Sequence, residues 1–264
     1  MKIPSLNSLL AQLLPYELEI SEEAGVRSLH FGSEWIQGSM RVRRPFALEL
    51  AYTREMMACL LLRSDTGWPR RALLIGLGAG SLAKYLYRYL PQTHITAVEI
   101  DARIVPLARQ YFSLPDDPQR LKLVIADAAD YIVQSGGKFD AIFVDGYGPD
   151  GHVAQLDTLE FYEACRTRLS AQGLLTSNLL SRSRGYAACA EKIHVAFQKR
   201  SVVFPSLDSG NTIAFGVCGE AVDVSLEEMR AQAILLKQQT GLDLRPTITR
   251  LQLVQSLTNG RLQL

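Results

Sequence analysis

The stretch Ala72–Asp101, ALLIGLGAGSLAKYLYRYLPQTHITAVEID, limits the possible folds more than any other part of the chain. Leu73–Ile75 is a short apolar run with the character of a buried strand. It meets Gly76-Leu77-Gly78-Ala79-Gly80, then a helical pattern through about Tyr89. A second apolar run, Ile95–Ile100, carries Glu99 near its end and Asp101 just beyond. The order is strand, glycine turn, helix, strand: one βαβ unit. Glycines at 76, 78 and 80 let the backbone approach a ligand that a Cβ would repel, and amides at the helix start face the same space. Glu99 lies roughly 20 residues past the loop, where an acid can accept both ribose hydroxyls. The plainer reading is a tight turn and a chance surface Glu. The flanking strands and the placed acid favour a nucleoside site.

The rest of the chain supports a domain of ordinary size. Its 264 residues are 47% hydrophobic and 21% charged, enough for one large α/β core and a small appendage. A net charge of +1 gives no electrostatic case for nucleic acid or for an acidic membrane surface. Cys59, Cys165, Cys189 and Cys218 are widely spaced without a CxxC pattern. They suit reduced, mostly buried thiols of a cytoplasmic protein rather than a disulfide frame or a metal site. The first twenty residues lack the pattern of a secretory signal, and no stretch is apolar for long enough to span a bilayer.

Ser5–Leu14 has helical spacing, with a partner subunit as one surface it could lie on. Glu17–Ser21, Arg27–Phe31 and Trp35–Arg41 alternate loosely and predict a small antiparallel sheet. Phe46–Leu62 has the pattern of a largely buried helix, and Trp68–Arg71 that of a linker. The division expected is a β-rich region with a following helix over 1–62 and a Rossmann-like domain over 63–264. Beyond the βαβ unit, strands are expected at Leu121–Ile125, Phe139–Val144, Gly173–Leu179, Ser201–Phe204 and Thr212–Val217. Helices are expected at Ile104–Tyr111, Asp130–Gln134, Leu159–Leu169, Ala187–Gln198, Leu226–Gln239 and Ile248–Leu257. The alternation predicts a doubly wound parallel sheet, with an antiparallel pair closing one edge.

Ligands of such sheets bind beyond the carboxyl ends of the strands. Four successive strand ends carry the glycine loop, Glu99, Asp127 and Asp145. Each Asp also suits a helix N-cap, and for Asp127 the two readings stay open.

The sequence Ile75–Gly80, Val98–Asp101, Ala126-Asp127-Ala128 and Phe143-Val144-Asp145 followed by Pro149 resembles the spermidine synthase (polyamine aminopropyltransferase) family. Trp35-Ile36-Gln37, Ala51–Met56, Leu159–Tyr162 and Phe204–Gly210 extend the resemblance. It implies a class I S-adenosylmethionine-dependent methyltransferase type of Rossmann-like sheet behind a small N-terminal sheet. It also implies a sulfonium nucleoside co-substrate, either decarboxylated S-adenosylmethionine or S-adenosylmethionine, a small-molecule amine acceptor, no metal, and a homodimer. By the resemblance, Gln37, Gly76, Gly78 and Gly80 border the nucleoside. Glu99 holds its ribose, and Asp127 with the Ala128 amide meets its adenine. Asp145 sits at the reacting centre under a loop shaped by Pro149.

Three positions depart from the pattern. Ala79 stands where the family's GGGDGG loop has its acid, Gly148 where the D-S-T/S-D-P loop has its second acid, and Leu207 where a Tyr often lines the polyamine site. Losing the first acid removes a charge-assisted bond of about 1.5–3 kcal/mol to the donor's ammonium. Asp150 and Tyr147 are candidates to compensate at the acceptor, although Asp150-Gly151 also suits a turn. His152 lies close to the same loop. Methyl transfer and a non-catalytic nucleoside pocket remain open beside aminopropyl transfer. An NAD dehydrogenase is disfavoured, because the final glycine of the dinucleotide fingerprint is missing.

Overall fold

The computed structural model describes residues 16–65, 67–134, 136–147, 156–180, 186–207, 210–253 and 257–264. The expected Ser5–Leu14 helix lies outside these residues, as do Gly148, Pro149, Asp150, His152 and Asp208.

The described chain opens with an antiparallel sheet of β1 (Leu18–Glu23), β2 (Val26–Phe31) and β3 (Ile36–Arg41). Ala24 and Gly25 join β1 to β2 with φ of 50° and 74°. Two successive left-handed residues match the right-handed twist of the paired strands. Helix α1 (Ala51–Met56) follows and tightens into a 3-10 segment, Met57–Leu61. The helix is shorter than the apolar pattern over Phe46–Leu62 predicts. Before Ala51, the carbonyls of Leu48 and Glu49 accept from the guanidinium of Arg54. The side chain takes acceptors that a longer helix would use for its own amides.

The central sheet runs β6-β5-β4-β7-β8-β10-β9. Its strands are β4 (Arg71–Ile75), β5 (His94–Glu99), β6 (Leu121–Ile125), β7 (Phe139–Val144), β8 (Leu169–Leu180), β9 (Ser201–Pro205) and β10 (Asn211–Val217). Strands β4 to β8 pair in parallel, whereas β10 is antiparallel to both β8 and β9. The expected antiparallel edge pair is therefore present. The chain order reverses between β4 and β7, where the strand ends leave a crevice.

Both faces of this sheet are covered. Leu74, Ala97 and Phe143 join the core beneath the N-terminal sheet and α1, together with α2 (Ser81–Tyr89) and α3 (Ile104–Phe112). Leu73, Ile75, Val98 and Ile142 point the other way, towards α4 (Ala128–Val133), α5 (Leu159–Thr167) and α6 (Tyr186–Ala196). Neighbouring residues facing opposite sides explain why these strands read as unbroken apolar runs. Helix α5 stops short of its expected end because Leu169 already begins β8.

The C-terminal part holds α7 (Leu226–Thr240) and α8 (Arg245–Leu253). Ser225 and Glu228 form a reciprocal capping box at the start of α7, and Gly241 closes its end with φ of 78°. A third sheet, β11 (Asp223–Ser225), β12 (Leu257–Thr258) and β13 (Arg261–Gln263), was not expected from sequence. Leu257, expected to end a helix, instead starts β12, and α8 begins earlier, at Arg245.

Candidate active site

The glycine loop and the loop after β7 touch at the chain reversal. Gly76 has φ of 91°, and a Cβ there would collide with the carbonyl of Asp145. Backbone bonds fix both loops: the Gly76 amide donates to Val98 O and the Asp145 amide to Ile75 O, each at 2.9 Å. Strand β3 closes over them. A Cβ on Gly38 would lie 2.7 Å from the Cβ of Ala79. Beside this approach lies a narrow cleft lined by Gln37, Tyr52, Gly76, Ala79, Ser81 and Asp145, among others.

Asp145 is held by side chains from two other parts of the chain. The Tyr52 hydroxyl donates to Oδ2 at 3.2 Å, and Asn178 Nδ2 donates to Oδ1 at 3.0 Å. Burial raises the Asp145 pKa above its ordinary value, and the bonds from Asn178 and Tyr52 pull it back in part. Tyr147 donates its hydroxyl to the backbone carbonyl of Asn178. Burial raises the Tyr147 pKa as well, so it keeps its proton.

The acids on the other side of the crevice are occupied differently. Glu99 is only 8% exposed. Its Oε2 accepts from the Leu77 amide at 2.9 Å and its Oε1 from the Asp101 amide at 3.0 Å. Burial raises its pKa, against the opposing pull of these amides. It therefore ties the glycine loop to the end of β5. Asp127 caps α4, accepting from the Ala129 amide at 2.7 Å, and Ala128 is the first residue of that helix. The capping reading of Asp127 is realised in the structure. Neither Glu99 nor Asp127 is among the described residues lining the cleft, which lies on the Asp145 side.

Three side chains at this crevice had no role assigned from sequence. Tyr52 falls within the quoted Ala51–Met56 element, but nothing there shows that it reaches Asp145. Asn178 is 4% exposed within the apolar strand β8. The polar run Thr176-Ser177-Asn178 inside that strand was its available signal. Ile100 is 54% exposed beside Glu99, an apolar surface at the end of β5.

Residues 49–185 match the spermine/spermidine synthase domain. A polyamine aminopropyltransferase from Chromobacterium violaceum is 36% identical over 246 residues, which cover 93% of each chain. A probable spermidine synthase from Corynebacterium glutamicum has a similar fold, with a TM-score of 0.70 and 23% identity, covering 87% of this chain and 86% of that one. Human methyltransferase-like protein 13, solved in complex with SAH, superposes with a TM-score of 0.65 and 24% identity, covering 73% and 93%. The fold is thus a Rossmann-like fold of the class I methyltransferase type. The chain belongs to the spermine/spermidine synthase family.

Proposed function

We propose that this protein transfers an aminopropyl group from decarboxylated S-adenosylmethionine to a small amine in polyamine biosynthesis. The observation that carries this reading is Asp145. It is a partly desolvated carboxylate held by Tyr52 and Asn178, and it lines a cleft beside the glycine loop. Family membership and the curated relative's name support the chemistry.

In this reading Glu99 meets the ribose, and Asp127 with the Ala128 amide meets the adenine. Gln37, Gly76, Gly78 and Gly80 border the donor. Because Glu99 and Asp127 are already fixed by backbone amides, they present their remaining acceptor capacity with little freedom left to lose. An amine with pKa near 10 is mostly protonated at neutral pH and cannot attack in that form. Asp145 receives its proton, and its raised pKa makes it a better acceptor than an exposed carboxylate. The amine nitrogen forms a bond to the carbon next to sulfur. The C–S bond breaks, its electron pair goes to sulfur, and a neutral thioether nucleoside leaves. Most of the acceleration comes from alignment, since the cationic sulfur is already a good leaving group. Tyr147, its proton committed to Asn178, braces β8 rather than donating to the acceptor. Asp150 keeps its proposed place on the acceptor side.

Methyl transfer is the second reading, favoured by one observation: Ala79 lines the cleft where an acid would repel a donor carboxylate. Calorimetric titration with decarboxylated and ordinary S-adenosylmethionine separates the two. Tighter binding of the decarboxylated form supports aminopropyl transfer, whereas a clear preference for the carboxylated form overturns it.

A further inference from the structure

Helix α1 carries Tyr52 to Asp145, but it is only six residues long. A helix this short cannot hold its own position and must be anchored by tertiary contacts. It packs on β8 and β10, and one turn beyond Tyr52 it presents Glu55, which is 2% exposed. Glu55 Oε1 accepts from Nη2 of Arg250 on α8, and from the Leu207 amide at 3.0 Å. Leu207 belongs to the turn between β9 and β10, so one oxygen joins three separate segments. The contact is one-pronged. Glu55 Oε2 and Arg250 Nε are both buried with no hydrogen-bond partner among the described residues. A buried pair with such incomplete geometry contributes little net stability, whereas removing one partner leaves an uncompensated charge. Its position, one turn from the residue that grips Asp145, is better explained by alignment.

We infer that Arg250, acting through Glu55, is a positioning residue that sets how Tyr52 meets Asp145, making the C-terminal helix α8 part of the transfer machinery. This rests on the aminopropyl-transfer reading for its effect on rate, but not for its effect on Tyr52. Because only Nη2 engages Glu55, a lysine can replace the arginine here, which a two-pronged site would not allow.

The test combines turnover with a probe that needs no turnover. The full chain is labelled with 3-fluorotyrosine, and the Tyr52 fluorine resonance is assigned by its loss in Tyr52→Phe. In Arg250→Met the Tyr52 resonance should shift, and kcat with decarboxylated S-adenosylmethionine and putrescine should fall on the order of tenfold. KM for the donor should stay within about twofold, because the nucleoside is held at β4–β6. Arg250→Lys should restore both resonance and kcat. In a Tyr52→Phe background, Arg250→Met should cost almost nothing further, the non-additivity expected of residues acting in series. If Arg250→Met folds poorly, Glu55→Gln/Arg250→Met removes both charges, keeps an acceptor for Leu207, and should show the same resonance shift and kcat loss. An unmoved Tyr52 resonance, or losses that multiply in the double variant, would overturn the inference. A shifted resonance in a protein that transfers nothing would sustain the clamp and contradict the transfer reading instead.

Discussion

The two sides of the crevice are built from different kinds of contact. On the β4–β6 side, Glu99 and Asp127 are held by backbone amides of residues close in space to their own strand ends: Leu77, Asp101 and Ala129. On the β7–β8 side, the described residues that hold the Asp145 carboxylate do so through side chains, Tyr52 and Asn178, which lie 93 and 33 positions away. Backbone amides cannot be mutated away and move little, so in the proposed reading the first side serves as a rigid receptor for groups common to every adenosyl donor. Side-chain bonds can be retuned one residue at a time. By the resemblance, and in the proposed reading, the positions that depart from the family pattern, Ala79, Gly148 and Leu207, concern the donor's ammonium end and the acceptor, not the ribose or adenine.

The contrast is broken most sharply at Asp145. Asp145→Asn should lower kcat by roughly 10²–10⁴-fold, measured as product formation at saturating donor, with donor affinity unchanged. The pH response follows from the direction of its shift. A folded-state pKa above the ordinary value means the base form appears only at correspondingly higher pH. Wild-type kcat should therefore fall as pH drops through that raised value, and Asp145→Asn should lose this acid limb. Linkage gives the opposite trend for stability. A carboxyl whose pKa is raised by folding favours the folded state while protonated. That contribution is lost as pH rises from the unfolded value, about 3.9, through the folded one. Asp145→Asn should thus gain stability relative to wild type across that window, as read by thermal unfolding at several pH values.

Tyr52→Phe should cost about 10–100-fold in kcat, the equivalent of one hydrogen bond to a charged group. A similar loss of donor affinity would mean the two sides are not separable. Ala79→Asp should tighten decarboxylated S-adenosylmethionine by about tenfold and weaken the carboxylated form, by calorimetry. Equal effects on both would remove position 79 from the donor's tail. The smallest effect is expected at Asp127. Asp127→Asn keeps a competent cap, so its melting temperature should stay near wild type while nucleoside affinity falls several-fold. Asp127→Ala should lose about 1 kcal/mol of stability as well. If Asp127→Asn binds the nucleoside as tightly as wild type, Asp127 is a cap and nothing more.

The same contrast explains what could be read from sequence. Strands β4 to β7 were legible to within a residue or two, because burial, on both faces for β4, β5 and β7, leaves predominantly apolar runs. The acids at their ends followed from strand boundaries alone. Strands β11 to β13 are two or three residues long, too short to show a period. The truncated α1 depended on Arg54 reaching back to Leu48 and Glu49, a contact that its apolar pattern does not reveal. Asn178 looked like an interruption in a core strand, and the Glu55–Arg250 contact joins residues 195 apart. Local chemistry was visible, and its long-range partners were not.

The most direct measurement is mass analysis of wild-type protein incubated with decarboxylated S-adenosylmethionine and putrescine. Equal amounts of aminopropylated amine and thioether nucleoside are expected, with both lost in Asp145→Asn. Donor bound tightly yet recovered intact with every diamine offered would contradict an Asp145-centred aminopropyl transfer.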